Sequence, residues 1–161
     1  MVKIEELKTQ EGTYDVVITG DIISVRPGSG LLHRCLECER MTQNDICHIH
    51  NKVRPRFDLR IKAVVDDSTG AIMAILGKAL TKRIYGKAID DIIEAIRRGS
   101  SLDAVERDIQ RVLTGLTLTT RGNATKGDYG IVFVAQEVTV ASGGIDVRAR
   151  KIKGRLKGLL T

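Results

Sequence analysis

Cys35-Leu36-Glu37-Cys38 is followed, after eight residues, by Cys47-His48-Ile49-His50. All three cysteines and two of the three histidines therefore fall within sixteen residues. A structural tetrahedral metal site takes four nitrogen and sulfur donors, commonly supplied as close pairs. One Cys-x-x-Cys knuckle and one Cys-x-x-His knuckle meet that need. Three cysteines cannot all pair with one another, so a disulfide framework fits poorly. Scattered buried thiols would not be expected to cluster with such spacing. The expected ligands are Cys35, Cys38, Cys47 and His50, holding a structural Zn2+ ion. His48 is the rival fourth ligand; His50 is preferred because its two-residue gap repeats that of the first knuckle. His33 is expected at the surface. Catalytic zinc needs an open coordination position and a nearby base. Neither a His-Glu-x-x-His helix nor a His-x-Glu deaminase signature occurs, so no enzyme is expected.

Positive charge is distributed unevenly. Of the net +6, five charges come from residues 145–161, where six cations face Asp146 alone. A second basic cluster follows the last ligand: Lys52, Arg54, Arg56, Arg60 and Lys62 against Asp58. Such clusters attract polyanions, though many are merely solvated faces. Aromatic rings are few, namely Tyr14, Phe57, Tyr85, Tyr129 and Phe133. No apolar run is long enough to span a membrane, and no membrane partner is expected. Cysteines kept reduced as metal ligands point to an intracellular setting.

The elements that must position these residues follow from periodicity. A helical turn is expected at Ile4–Lys8. Tyr14 to Arg26 is rich in β-branched residues and reads as a long strand, with Gly20 at a bulge or bend. Phe57 to Val65 alternates, placing Phe57, Leu59, Ile61, Ala63 and Val65 inward and Asp58, Arg60 and Lys62 outward. The turn Asp66–Gly70 returns the chain as a strand over residues 71–76. The period then lengthens. Residues 78–114 read as helical, with Ile89, Ile92, Ile93 and Ile96 on one stripe and Ser100–Asp103 opening another helix. A strand over 116–120, a basic Gly-rich loop over 121–128 and a strand over 129–141 complete the core region. The expected fold is mainly β with helices: a five-stranded OB-fold barrel with an inserted zinc ribbon and a C-terminal helix. Its parts are a lead-in (1–13), the OB-fold domain (14–141, with the ribbon at about 31–54) and a basic amphipathic tail (142–161).

Strands two and three of an OB-fold, with the loops after its first and fourth strands, form its usual binding face. The ribbon occupies the first of those loops. Candidate nucleic-acid contacts are therefore Arg54, Arg56, Arg60 and Lys62 beside the ribbon, and Arg121, Lys126 and Tyr129 at the other loop. Tyr85, among Lys82, Arg83 and Lys87, is a further candidate for stacking. For each cation the plain alternative is a solvated strand face or hairpin, and for each ring it is the core.

Taken with the segment Gly28-Ser29-Gly30-Leu31 and the run Phe57–Gly70, the ligand spacing resembles the zinc-bearing OB domain of replication protein A large subunits, in an archaeal form. The resemblance spans roughly residues 14–141 and is sharpest over 26–70. It implies single-stranded DNA binding in DNA replication, repair and recombination, in the cytoplasm or nucleoid of an archaeon. It also implies assembly with other replication protein A subunits through a C-terminal helix, here matched by Ile145, Ile152, Leu156, Leu159 and Leu160. Glu39 departs from the pattern, standing where such knuckles commonly carry glycine. Two other readings compete: a domain used chiefly for protein–protein assembly, and a zinc-ribbon OB domain that binds RNA.

Overall fold

The computed structural model describes residues 1–141. The expected assembly residues Ile145, Ile152, Leu156, Leu159 and Leu160 lie outside the described residues, as does the whole of 142–161. In chain order the elements are α1 (Ile4–Lys8), β1 (Gly12–Val25), β2 (Gly30–Cys35), β3 (Ile46–Cys47), β4 (Asn51–Lys52), β5 (Pro55–Asp66), β6 (Ala71–Leu76), α2 (Lys78–Tyr85), α3 (Ile89–Arg97), α4 (Leu102–Leu113), β7 (Thr117–Gly127) and β8 (Gly130–Val140).

Five long strands form a closed, OB-like circuit. Pairing runs β1–β7–β8–β6–β5 and returns from β5 to β1. Only the β6–β8 pairing is parallel within that circuit. Closure works because β1 is long and changes partner along its length. It pairs with β7 from Gly12 to Asp21, then with β5 from Asp21 to Val25. Gly20 lies at the handover: a Cβ there would sit 2.6 Å from the Asp66 carbonyl oxygen. The bulge itself falls between Ile22 and Ser24.

Side chains from the inner face fill the circuit. Leu59, Ile61, Ala63 and Val65 are fully buried, as the alternation requires, and meet Ile18, Leu118 and Phe133 in one core. Ile4 and Leu7 of α1 join this core, and the Ile4 N–H donates to the Asp67 carboxylate in the β5–β6 turn at 2.8 Å. The helices follow their apolar stripes, and Ile92, Val105, Ile109 and Leu113 are buried. The Ser101 hydroxyl accepts from the Ala104 N–H at 3.0 Å, capping α4 as the sequence suggests.

Two expectations are corrected. Residues 121–127 are not a loop: they continue β7, paired with both β1 and β8. The β7–β8 connection shrinks to Asp128 and Tyr129. The insert also contains a regular strand, β2, whose six residues pair with β5 in register from Gly30–Arg60 to Cys35–Pro55. It extends the sheet outward beyond the circuit, and the small ribbon β3–β4 hangs from its end.

Candidate metal centre and nucleic-acid interface

Both knuckles are set by backbone geometry. In the first, the Glu39 N–H donates to the Cys35 carbonyl at 2.9 Å and the Cys35 N–H to the Arg40 carbonyl at 2.8 Å. This tight return puts Glu39 at φ +60°, the left-handed region that glycine adopts most easily. Asn51 holds the matching place after the second knuckle, at φ +59°. The His50 and Ile49 backbone N–H groups are aimed at the Cys47 sulfur and push its thiol down to about 6. At Cys38 the Arg40 N–H acts in the same direction, but burial and the neighbouring Cys47 and Cys35 sulfurs leave that thiol raised.

The donor atoms of Cys35, Cys38, Cys47 and His50 all lie within 4.8 Å of one another. Cys38 Sγ is 3.5 Å from Cys47 Sγ, and His50 Nδ1 is 3.5 Å from Cys35 Sγ and 3.7 Å from Cys47 Sγ. A tetrahedron with Zn–S of about 2.3 Å and Zn–N of about 2.05 Å has edges of about 3.8 Å between sulfurs and about 3.6 Å between sulfur and nitrogen. The set therefore fits one ion of that size, and all three cysteines are free thiols. The His50 ring is oriented from behind: its Nε2 faces the Glu37 carboxylate at 3.0 Å. Carboxylates commonly fix metal-binding imidazoles in this way. The Cys47 sulfur, chiefly, raises the pKa of His50, against burial and with help from Cys35 and Glu37. His48 is exposed and outside the donor set. His33 is half-buried, its ring edge-on to Phe57 at 4.9 Å and its Nδ1 3.5 Å from Asp45.

The expected cationic residues differ in how free they are. Arg56 pairs with Glu39 at 3.3 Å, and Arg34 Nε with Asp58 at 2.6 Å. Burial opposes ionisation of Asp58, but Arg34 and the Leu59 N–H outweigh it and hold the carboxyl below its ordinary range. Arg54, Lys62 and Lys126 form no ion pair among the described residues. Arg60 projects from β5 with no acid at salt-bridge distance among the described residues. Arg121 is in mid-strand, committed to Asp15 at 2.5 Å and Glu137 at 3.6 Å, and β7 is not a neighbour of β5 or β6. Tyr129 is fully exposed at the β7–β8 turn.

Tyr85 is not available as a stacking platform. It is buried against the helical layer, and its hydroxyl donates to the Asp108 carboxylate. Lys87 and Arg111 each reach the same carboxylate at 2.9 Å. Tyr85, Arg111 and Lys87 together hold the Asp108 carboxyl well below the usual carboxylate range.

No protein-family model matches the chain, and no curated protein matches it. Solved structures do. The yeast replication protein A chain bound to single-stranded DNA aligns with a TM-score of 0.60 over 99% of this chain and 97% of that one, at 13% identity. This chain shares the fold of replication protein A. A chain of a replication protein A heterotrimer bound to single-stranded DNA aligns with a TM-score of 0.59 at 11% identity. That alignment covers 94% of this chain and 37% of the other, so this chain spans little more than a third of that longer one. At such identities the likeness to replication protein A is one of fold.

Spacing alone gives Glu37 and Glu39 no role. Glu37 faces a histidine thirteen positions away, and Glu39 faces Arg56 across the ribbon. Only their acidic charge between Arg34 and Arg40 sets them apart in the sequence.

Proposed function

We propose that this chain is a single-stranded DNA-binding module of a replication protein A complex, with a structural zinc ion and no catalytic role. One observation carries the reading. The Cys3His cluster lies in the connection between β1 and β5, at the end of the cation-bearing strand β5, within the fold of replication protein A chains bound to single-stranded DNA. Four protein donors would close a tetrahedral shell and leave no open position for a substrate, which suits a structural ion. Zinc would hold the two knuckles together and so fix the ribbon beside the start of β5.

In this reading Arg54, Arg56, Arg60 and Lys62, with Lys126 at the far turn, neutralise phosphates of the strand, and Tyr129 offers one face to a base. Stacking on a ring suits unpaired bases because every base has a π-face. Arg56 would exchange Glu39 for a phosphate. Arg121 and Tyr85 are left out, the first because it is paired on β7 and the second because it is buried. Replication, repair and recombination are the processes such a module would serve, in the reducing interior of an archaeal cell.

The test is a titration of labelled single-stranded DNA, duplex DNA and RNA of one sequence. Clear preference for single-stranded DNA supports the reading. Equal binding of the duplex refutes it, and preference for RNA moves the chain to the RNA-binding class. Assembly is the second part of the proposal, supported by the heterotrimer that shares the fold and by the apolar spacing of residues 145–160. Deleting residues 143–161 should abolish association with partner subunits and leave DNA binding in place.

A further inference from the structure

Arg60 differs from the other cations around it. Its Nε is buried and has no hydrogen-bond partner among the described residues. Its Nη2 lies 3.6 Å from the Met41 thioether sulfur. The adjacent carboxylate does not serve it: Asp58 Oδ2 accepts from Arg34 at 2.6 Å and Oδ1 from the Leu59 N–H at 2.9 Å. Burial, with the nearby Arg34 charge, lowers the Arg60 pKa and outweighs the opposing Asp58 charge. A buried donor without an acceptor is costly, and one on a charged group more so. Met41 itself is half exposed, and its backbone bridges to Arg34 beside β2. A flexible thioether therefore covers the guanidinium and can be displaced.

We propose that Arg60 is the hydrogen-bonding anchor for one phosphodiester of the bound strand, reached when Met41 swings aside. This rests on the single-stranded DNA reading and sharpens it. The neighbouring Lys62 acts as a point charge; Arg60 acts through its planar fork. Two phosphate oxygens match that fork and supply both the missing acceptor and a counter-charge in direct contact. An uncharged base edge would supply only the first.

The test compares binding of labelled oligothymidine by the wild-type chain, Arg60→Lys, Arg60→Gln and Lys62→Gln. Arg60→Lys keeps the charge and loses the fork. It should weaken binding about tenfold, nearly as much as Arg60→Gln, while Lys62→Gln should cost only about two- to threefold. Wild-type-like binding by Arg60→Lys would overturn the proposal. A second measurement avoids substitution altogether. In the 15N-labelled wild-type chain, the Arg60 Nε–H resonance should shift and exchange more slowly with solvent on adding oligothymidine. An unmoved resonance under saturating DNA would also overturn it. If the wild-type chain fails to bind the oligomer at all, the single-stranded DNA reading itself has failed.

Discussion

Removing the metal should melt the ribbon and spare the rest. Among residues 36–54 the only buried apolar side chain is Cys47, and the main core draws no member from that segment. Burying one such side chain returns about 1 kcal/mol, whereas ordering the backbone costs about 1–2 kcal/mol per residue. Structural zinc supplies about 10–16 kcal/mol in comparable small sites. Without it, the few ribbon hydrogen bonds, such as Val53 N–H to Asp45 at 3.0 Å, cannot hold the two knuckles together. The closed sheet has its own core of fully buried residues from β1, β5, β6, β7 and β8. Hydrogen exchange read by mass spectrometry, with and without a strong chelator, separates the two regions. Peptides from 36–54 should lose protection within the first minute after chelation. Those from β1 and β5–β8 should exchange as before. Cooperative loss of protection everywhere, or a ribbon that stays protected, would refute this division of labour.

Three substitutions test the supporting residues. Glu37→Gln removes the carboxylate behind His50 and should weaken zinc about 10–100-fold in competition with a chromophoric chelator. Tyr129→Ala should weaken single-stranded DNA binding by about 1–3 kcal/mol, with no change in melting temperature because the ring is fully exposed. Asp108→Asn removes the negative charge and one of the two acceptor oxygens shared by Tyr85, Lys87 and Arg111, and should cost about 2 kcal/mol at neutral pH. Because the folded carboxyl lies below its ordinary range, that stability is fully present above the unfolded value of about 3.9. It is lost as pH falls through the depressed folded value. The difference in melting temperature between wild type and Asp108→Asn should therefore narrow below about pH 4.

Much of the fold is legible in local pattern. The alternation of Phe57–Val65 and the helical spacing of Ile89, Ile92 and Ile96 are local signals, and both elements form. Phe57 keeps the inward parity but lies past the core, so it sits edge-on to His33 and is partly exposed. The metal set is legible for the same reason: a knuckle is a local backbone device, and its donors meet after two short turns. What escapes is set by distant partners. Gly122 reads as a turn residue, yet a Cβ there would lie 2.1 Å from the Val134 carbonyl oxygen, so the glycine marks close strand approach at a bulge. β2 exists because β5 offers it an edge, and Leu31–Cys35 alone do not announce that. Tyr85 is buried because Asp108, twenty-three residues on, accepts its hydroxyl. The two acids of the first knuckle gained their roles only when His50 and Arg56 came near.

The salt dependence of single-stranded DNA affinity tests the central claim most directly. With Arg54, Arg60, Lys62 and Lys126 each meeting one phosphate, and Arg56 only exchanging the Glu39 carboxylate for a phosphate and so releasing no counterion, the log–log slope of the association constant against salt should be about −2.8. Binding would then fall about fiftyfold between about 50 and 200 mM salt. A slope near zero would mean that phosphates are not what the cationic strand holds, and would contradict the account.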